Sequence, residues 1–244
     1  MSPKVSIIIP CYNSEKWVSQ CILSAINQSY ENIEVIAVDN ESTDGTLDVL
    51  KDIQSKKPSL RILTAPNIYP NCWDEARSEA YKHLTGDYFT VIGSDDYLSE
   101  NYIENCLKYV LAAPEKILVF QSPMMGVRSD THISTGEVMH SYRSIKQFKE
   151  MSLTQCPVNS PTVLYNRKLL KDGALQTKPE KFGGAADYNL YCQLAEDNIL
   201  IYPAPRWLGF YYRWHEEQAT WKVQSEGKNY DKLIQDYWRQ KWNL

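Results

Sequence analysis

The stretch Tyr88-Phe89-Thr90-Val91-Ile92-Gly93-Ser94-Asp95-Asp96 decides how the chain is read, because an apolar run ends in two adjacent carboxylates. Five residues of that composition read as a buried strand. Open α/β sheets bind ligands outside the carboxyl ends of their strands, so the pair is delivered to where a ligand sits. Two neighbouring acids on a rigid support suit Mg²⁺ or Mn²⁺ and, through the ion, a phosphate. Alone, such a pair is more often a solvated turn or a helix N-cap. Its meaning depends on the rest of the chain.

Upstream, residues 5–9 form a β-branched apolar run followed by the loop Pro10-Cys11-Tyr12-Asn13-Ser14. Val18, Ile22, Ala25 and Ile26 then fall on one helical stripe. A second buried strand at 33–38 leads into a polar loop from Asp39 to Gly45, and Leu47, Leu50 and Ile53 mark a second helix. A short strand at 60–63 and a helix from about 72 to 84, with Ala76, Ala80 and Leu84 aligned, precede the strand that carries the acidic pair. Ile103, Leu107, Val110 and Leu111 mark a further helix, and 117–120 a further strand. This alternation predicts an α/β fold with a mostly parallel sheet flanked by helices, of nucleotide-binding type, over residues 1–122.

Beyond residue 122 the regularity weakens. Residues 124–142, rich in Ser, Thr and Gly, read as a hairpin or loop over the site. Strands are expected at 162–165, 199–202 and 209–212, a Gly-bearing loop at 178–186, and a helix at 187–194 with Leu190 and Leu194 inward. Tyr230, Leu233, Ile234, Tyr237 and Trp238 form a last stripe, extended by Trp242 and flanked by Lys228, Lys232, Arg239 and Lys241. It reads as a helix packing on the core, with peripheral membrane contact as the alternative. Lacking repeats and a clear linker, the chain is expected to be one domain: a first half to 122, a second half at 123–222 and a terminal helix at 223–244.

Composition narrows the function classes. Net charge is -4, with 26 basic and 30 acidic residues, and their intermixing argues against a nucleic-acid partner. Six cysteines, Cys11, Cys21, Cys72, Cys106, Cys156 and Cys192, are scattered without a CxxC pair, so neither a disulfide framework nor a zinc site is expected. No leader of the secretory kind precedes the first strand, and no stretch approaches the ~18 apolar residues of a membrane span.

In a parallel sheet the loops after the strands converge, so acids far apart in sequence can share a pocket. Asp39 is placed to accept hydrogen bonds from a nucleoside, whereas Asp44-Gly45-Thr46 reads as a turn and helix cap.

The strings VSIIIPCYNSE, VIAVDNESTDGT and ARSEAYKHLTGDYFTVIGSDDYL, in that order, resemble the inverting glycosyltransferase family 2, whose GT-A fold binds nucleotide sugars. GGAADYNLYCQLAEDNILIYPAP followed by LGFYYRWHEEQ is similar to that family's acceptor half, so the resemblance runs from about residue 4 to 220. It implies that Pro10, Tyr12 and Asp39 contact the nucleoside, that Arg77 and Arg213 bind the donor, and that Asp95 and Asp96 hold Mn²⁺ or Mg²⁺ and the diphosphate. His215 is implied near the diphosphate or as a metal ligand, and Asp187 as the catalytic base. It further implies a saccharide or lipid-linked saccharide acceptor, a role in surface polysaccharide biosynthesis and a place in the cytoplasm at the inner face of the membrane. A UDP-sugar is the default donor.

Four positions depart from the family pattern. Gly93 stands where many members have a further Asp, Ser78 replaces a frequent Asn, Ala186 precedes Asp187 where Glu is usual, and Gln-x-x-Arg-Trp is absent because Tyr211-Tyr212-Arg213-Trp214 begins with Tyr. The last fits transfer of a single sugar rather than processive synthesis. The departures at 93 and 186 motivate an alternative, a catalytically inactive nucleotide-sugar-binding protein. A nucleotidyltransferase is disfavoured, since Pro10-Cys11-Tyr12-Asn13 lacks the Gly and Lys that hold a triphosphate.

Overall fold

The structure, a computed structural model, describes residues 2–68, 74–131, 133–218 and 228–244. Its centre is β1 (Val5–Cys11), paired in parallel with β2 (Ile33–Asp39) on one side and β4 (Tyr88–Val91) on the other. β3 (Leu60–Thr64) extends the sheet beyond β2. Side chains alternate faces along a strand. Thus Val5, Ile7, Ile9 and Cys11 join one core with Val35 and Ala37, while Ile8, Ile36 and Val38 join the core behind the sheet. Burial on both faces is why these strands read as continuous apolar runs.

Helices α1 (Val18–Ile26), α2 (Thr46–Lys56), α3 (Glu75–His83) and α4 (Tyr102–Val110) bury the residues their spacing picked out, such as Val18, Ile22 and Ala25, Leu50 and Ile53, Ala76 and Ala80, and Ile103 and Leu107. The expected start of α3 at Cys72 lies outside the described residues.

Two features of the second half were not expected. The seven-stranded sheet runs β10-β6-β9-β4-β1-β2-β3, with β6 (Val119–Gln121), β9 (Leu164–Asn166) and β10 (Ile201–Pro203), and β9 lies antiparallel to both β4 and β6. Strands of three residues carry no period from which direction can be read. The expected strand at 209–212 instead belongs to a second sheet, as β11 (Phe210–Trp214), with β5 (Tyr97–Leu98), β7 (Met124–Arg128) and β8 (Ser134–Val138). β7 and β8 are antiparallel, which makes the expected hairpin. A helix α5 (Ile145–Met151), capped by Ser144, follows it.

Short helices α6 (Lys168–Lys171) and α7 (Pro179–Phe182) and a 3-10 turn, Gly183–Ala185, lead into α8 (Ala186–Glu196). The final helix α9 (Tyr230–Trp242) buries Ile234 and Trp238 in a small core with Phe182, Tyr188 and Cys192. Trp238 Nε1 donates to Asn189 Oδ1 at 3.0 Å and Trp242 Nε1 to Glu196 Oε2 at 2.7 Å. Its aromatic stripe is thus spent on packing, as the core reading requires. No described helix is long and apolar enough to cross a membrane. The five described cysteines are free thiols, and Cys72 lies outside the described residues.

Candidate active site

β4 ends at Val91 and the chain turns at once, the Asp96 N–H donating to the Gly93 carbonyl at 3.1 Å. A Cβ built on Gly93 would lie 2.6 Å from Asp95 Oδ1 and 3.0 Å from Asp96 Oδ2. The two carboxylates therefore converge on space that any side chain at 93 would fill, which accounts for glycine here. Asp96 is 1% exposed. Its burial, and then the charge of Asp95, push its carboxyl well above the usual carboxylate range, opposed by the backbone N–H and cation of Arg213.

The second sheet delivers those opposing groups. Antiparallel pairing of β5 with β11, Tyr97 opposite Tyr211, carries Arg213 to the acidic turn. Its N–H donates to Asp96 Oδ1 at 3.0 Å, its Nε to the Asp95 carbonyl at 2.7 Å, and its Nη2 to Gln20 Oε1 at 2.6 Å. His215, two residues on, places Nε2 3.0 Å from Asp95 Oδ2 and its ring 5.3 Å from that of Trp17.

Asp95 and Asp96 line a cleft of about 530 Å³ together with Pro10, Arg77 and Asp187. Five expected site residues, from the ends of β1 and β4, from α3 and from α8, thus share one space. Asp187 opens α8, where its Oδ1 accepts from the Tyr188 N–H at 2.7 Å and its Oδ2 from the Ser160 hydroxyl at 2.5 Å. Gly183, at φ 51°, lines the same cleft with the Tyr230 ring packed against it, a conformation and a closeness that exclude a side chain. Arg77 is ion-paired with Asp74 on the cleft wall. A larger neighbouring cleft of about 820 Å³ shares Trp214 with this one but carries neither the acidic pair nor Asp187.

On the nucleoside side, Asp39 ends β2 opposite Cys11 of β1 and is 3% exposed. Its Oδ2 accepts from the Ser42 N–H at 3.3 Å, while its buried Oδ1 has no hydrogen-bond partner among the described residues. A buried acceptor without a donor is costly unless a ligand supplies one. Tyr12 stands 46% exposed beside Asn13, which takes the left-handed φ of 47° and ties the two loops by accepting the Thr43 N–H at 2.8 Å. Asp44 serves the turn, its Oδ1 accepting from the Thr46 N–H at 3.0 Å and its Oδ2 from the Glu15 N–H at 3.1 Å.

A family model described as Glycosyl transferase family 2 matches residues 6–173, more than half of the chain. The chain belongs to glycosyltransferase family 2. It is 29% identical over 196 residues to a chondroitin synthase of Pasteurella multocida, covering 80% of this chain and 19% of that protein. Among solved structures, S. aureus TarS 1-349 in complex with UDP-GlcNAc superposes with a TM-score of 0.71 at 22% identity, over 88% of this chain and 60% of that one. A mannosyltransferase from Pyrobaculum calidifontis in complex with GDP-Man and Mn²⁺ gives 0.66 at 16%, over 97% and 69%. At such identities the superpositions show the fold, which is the GT-A fold of glycosyltransferases. The chain spans less than half the length of the curated relatives it matches, 43% of one from Haemophilus influenzae and 19% of the chondroitin synthase.

Within this family 2 frame, His215 and Arg213 are both engaged with the acidic turn. The three expected metal ligands do not form a cluster, and among the described residues no group of three or more His, Cys, Asp and Glu is gathered to hold a metal. His215 Nε2 is paired with an Asp95 oxygen at 3.0 Å. Arg213, expected to bind the donor, is 1% exposed, and its guanidinium faces protein. The two carboxylates alone still fit a hard divalent cation, which needs one or two acids when phosphate oxygens and water complete its shell. Ser160, Asp74 and Gln218 line the cleft and escaped sequence reading. Asp74 sits at the N-terminal cap of α3 and the other two in short irregular segments, and no period or motif sets any of them apart.

Proposed function

We propose that this chain transfers a single sugar from a nucleotide-sugar donor, by default a UDP-sugar, to a saccharide or lipid-linked saccharide acceptor, with inversion. The observation that carries this reading is one cleft lined by both the Asp95–Asp96 pair and Asp187. Transfer builds negative charge on the departing diphosphate and positive, oxocarbenium-like charge on the sugar. Asp95 and Asp96 would hold Mn²⁺ or Mg²⁺, which when bound offsets the charge growing on the leaving group. The buried Asp39 oxygen that finds no partner among the described residues supports recognition of a nucleoside N–H, with Pro10 and Tyr12 at the same sheet edge and Arg77 on the cleft wall.

Asp187 would accept the proton of the attacking hydroxyl. Its hydrogen bond from Ser160 fixes the carboxylate, so one oxygen is presented in a defined direction. A single base and a single displacement give inversion. The second reading, a donor binder without transfer, draws support from the same geometry, because both Asp187 oxygens already accept hydrogen bonds from the protein.

A thermal-shift screen of UDP-, GDP-, dTDP- and CMP-sugars, each with and without Mn²⁺, tests donor binding, since a ligand of the folded state raises the melting temperature. One nucleotide class should stabilise the protein more with Mn²⁺ than without. No stabilisation by any donor would overturn the proposal, and saturable binding without hydrolysis or transfer would favour the second reading.

A further inference from the structure

We propose that Arg213 is the positioning residue of the donor site: from β11 it presets Asp95 and Asp96 in the arrangement that receives a divalent cation and a nucleotide diphosphate. This rests on the donor reading above and assigns Arg213 a different part from direct phosphate contact. The residue grips two consecutive positions at once, its backbone N–H on the Asp96 carboxylate and its side-chain Nε on the Asp95 carbonyl. The grip is itself immobilised. The guanidinium lies between the rings of Trp17 and Tyr97, 4.6 and 5.1 Å from their centroids, Gln20 takes its Nη2, and the Gln218 amide donates to its carbonyl at 2.6 Å. With both faces covered, the cation acts on the donor through the turn it holds, by way of the Asp95 carbonyl and its charge beside the two carboxylates. Two adjacent acids, one of them buried, repel each other, and a fixed cation beside them keeps the turn in one geometry before any ligand arrives. Lysine would keep the charge but lose the planar stack and the in-plane Nε donor.

The test is titration of Arg213→Lys and Gln20→Ala with UDP, in the presence and absence of Mn²⁺, by calorimetry, with circular dichroism confirming the fold. Arg213→Lys should weaken Mn²⁺-dependent UDP binding about 10- to 100-fold, as is usual for a group that orients a metal ligand, and leave metal-free UDP binding near that of the parent. Gln20 is exposed, so its truncation spares the fold, and it should show the same metal-dependent loss to a smaller degree. The double variant should be no weaker than Arg213→Lys, because both changes break one clamp. Unchanged Mn²⁺-dependent binding in both folded variants would overturn the proposal, as would equal losses with and without the ion. If the parent itself binds UDP identically with and without Mn²⁺, the metal reading fails and the proposal falls with it. That outcome is visible before any variant is measured.

Discussion

Glu34→Gln should destabilise the protein by about 2 kcal/mol at neutral pH and by nothing at strongly acid pH. Glu34 opens β2 at the end of the sheet away from the cleft, 8% exposed, and ties three strands together. Its Oε1 accepts from the Ser6 hydroxyl at 2.6 Å and from the Thr85 N–H at 2.6 Å, while its Oε2 faces Lys4 Nζ at 3.4 Å and Arg61 Nη1 at 3.3 Å. Burial by itself raises this carboxyl, but the bonds from Ser6 and Thr85 and the charge of Lys4 more than reverse that, holding it at about 2 instead of 4.5. At about 1.4 kcal/mol per pH unit this corresponds to about 3 kcal/mol. Lys4 and Arg61 are half in water, which screens part of it and leaves about 2 kcal/mol.

A depressed carboxyl contributes stability that is fully present above its unfolded value and is lost as the pH falls toward its folded value. The window here runs from 4.5 down to about 2. For a chain of this length about 2 kcal/mol is a melting temperature lower by roughly 4–8 °C. Thermal melts of parent and variant at pH 7, 4 and 3 check it. The gap should be full at pH 7 and narrow steadily below about pH 4.5. A variant that melts with the parent at pH 7, or a gap that stays constant down to pH 3, would refute the reasoning.

Asp187→Asn should lower turnover by about 10²- to 10⁴-fold while the donor-induced thermal shift stays that of the parent, and near-normal turnover would remove Asp187 from the base role. Asp96→Asn should raise the melting temperature of the ligand-free protein and abolish the extra stabilisation that Mn²⁺ gives to donor binding. Because burial and Asp95 raise the Asp96 carboxyl, the stability gain belongs to neutral pH and should vanish as the pH falls below the ordinary carboxylate value. Trp238→Ala should cost about 3–5 kcal/mol by emptying the core under α9, measured by urea unfolding, and a loss under 1 kcal/mol would mean that the helix is held elsewhere.

Much of the first half was legible in the sequence because its signals are redundant there. β1 and β2 are buried on both faces and so announce themselves as apolar runs, and the helices between them repeat their apolar residues at one spacing. The acidic pair was found for the same reason: a strand this apolar has to end somewhere, and it ends at Asp95–Asp96. The direction of β9, the membership of β11 and the part played by Ser160 were not legible. Each is decided by what lies across a sheet or a cleft, and three-residue strands and irregular turns carry no mark of their distant partners.

Sequence alone determined the α/β architecture, the family and the set of acids offered at the strand ends, since local apolar periodicity and motif order survive without any knowledge of tertiary contact. Only the tertiary structure decided what those acids meet. It showed that Asp95 and Asp96 converge over Gly93, that a buried Asp39 oxygen finds no partner among the described residues, and that Arg213, 117 residues from Asp96, holds the turn beneath the pair through its backbone N–H and its Nε. The physical reason is that burial and fixed partners, not residue type, settle whether a charged side chain is presented to a ligand or holds another in place.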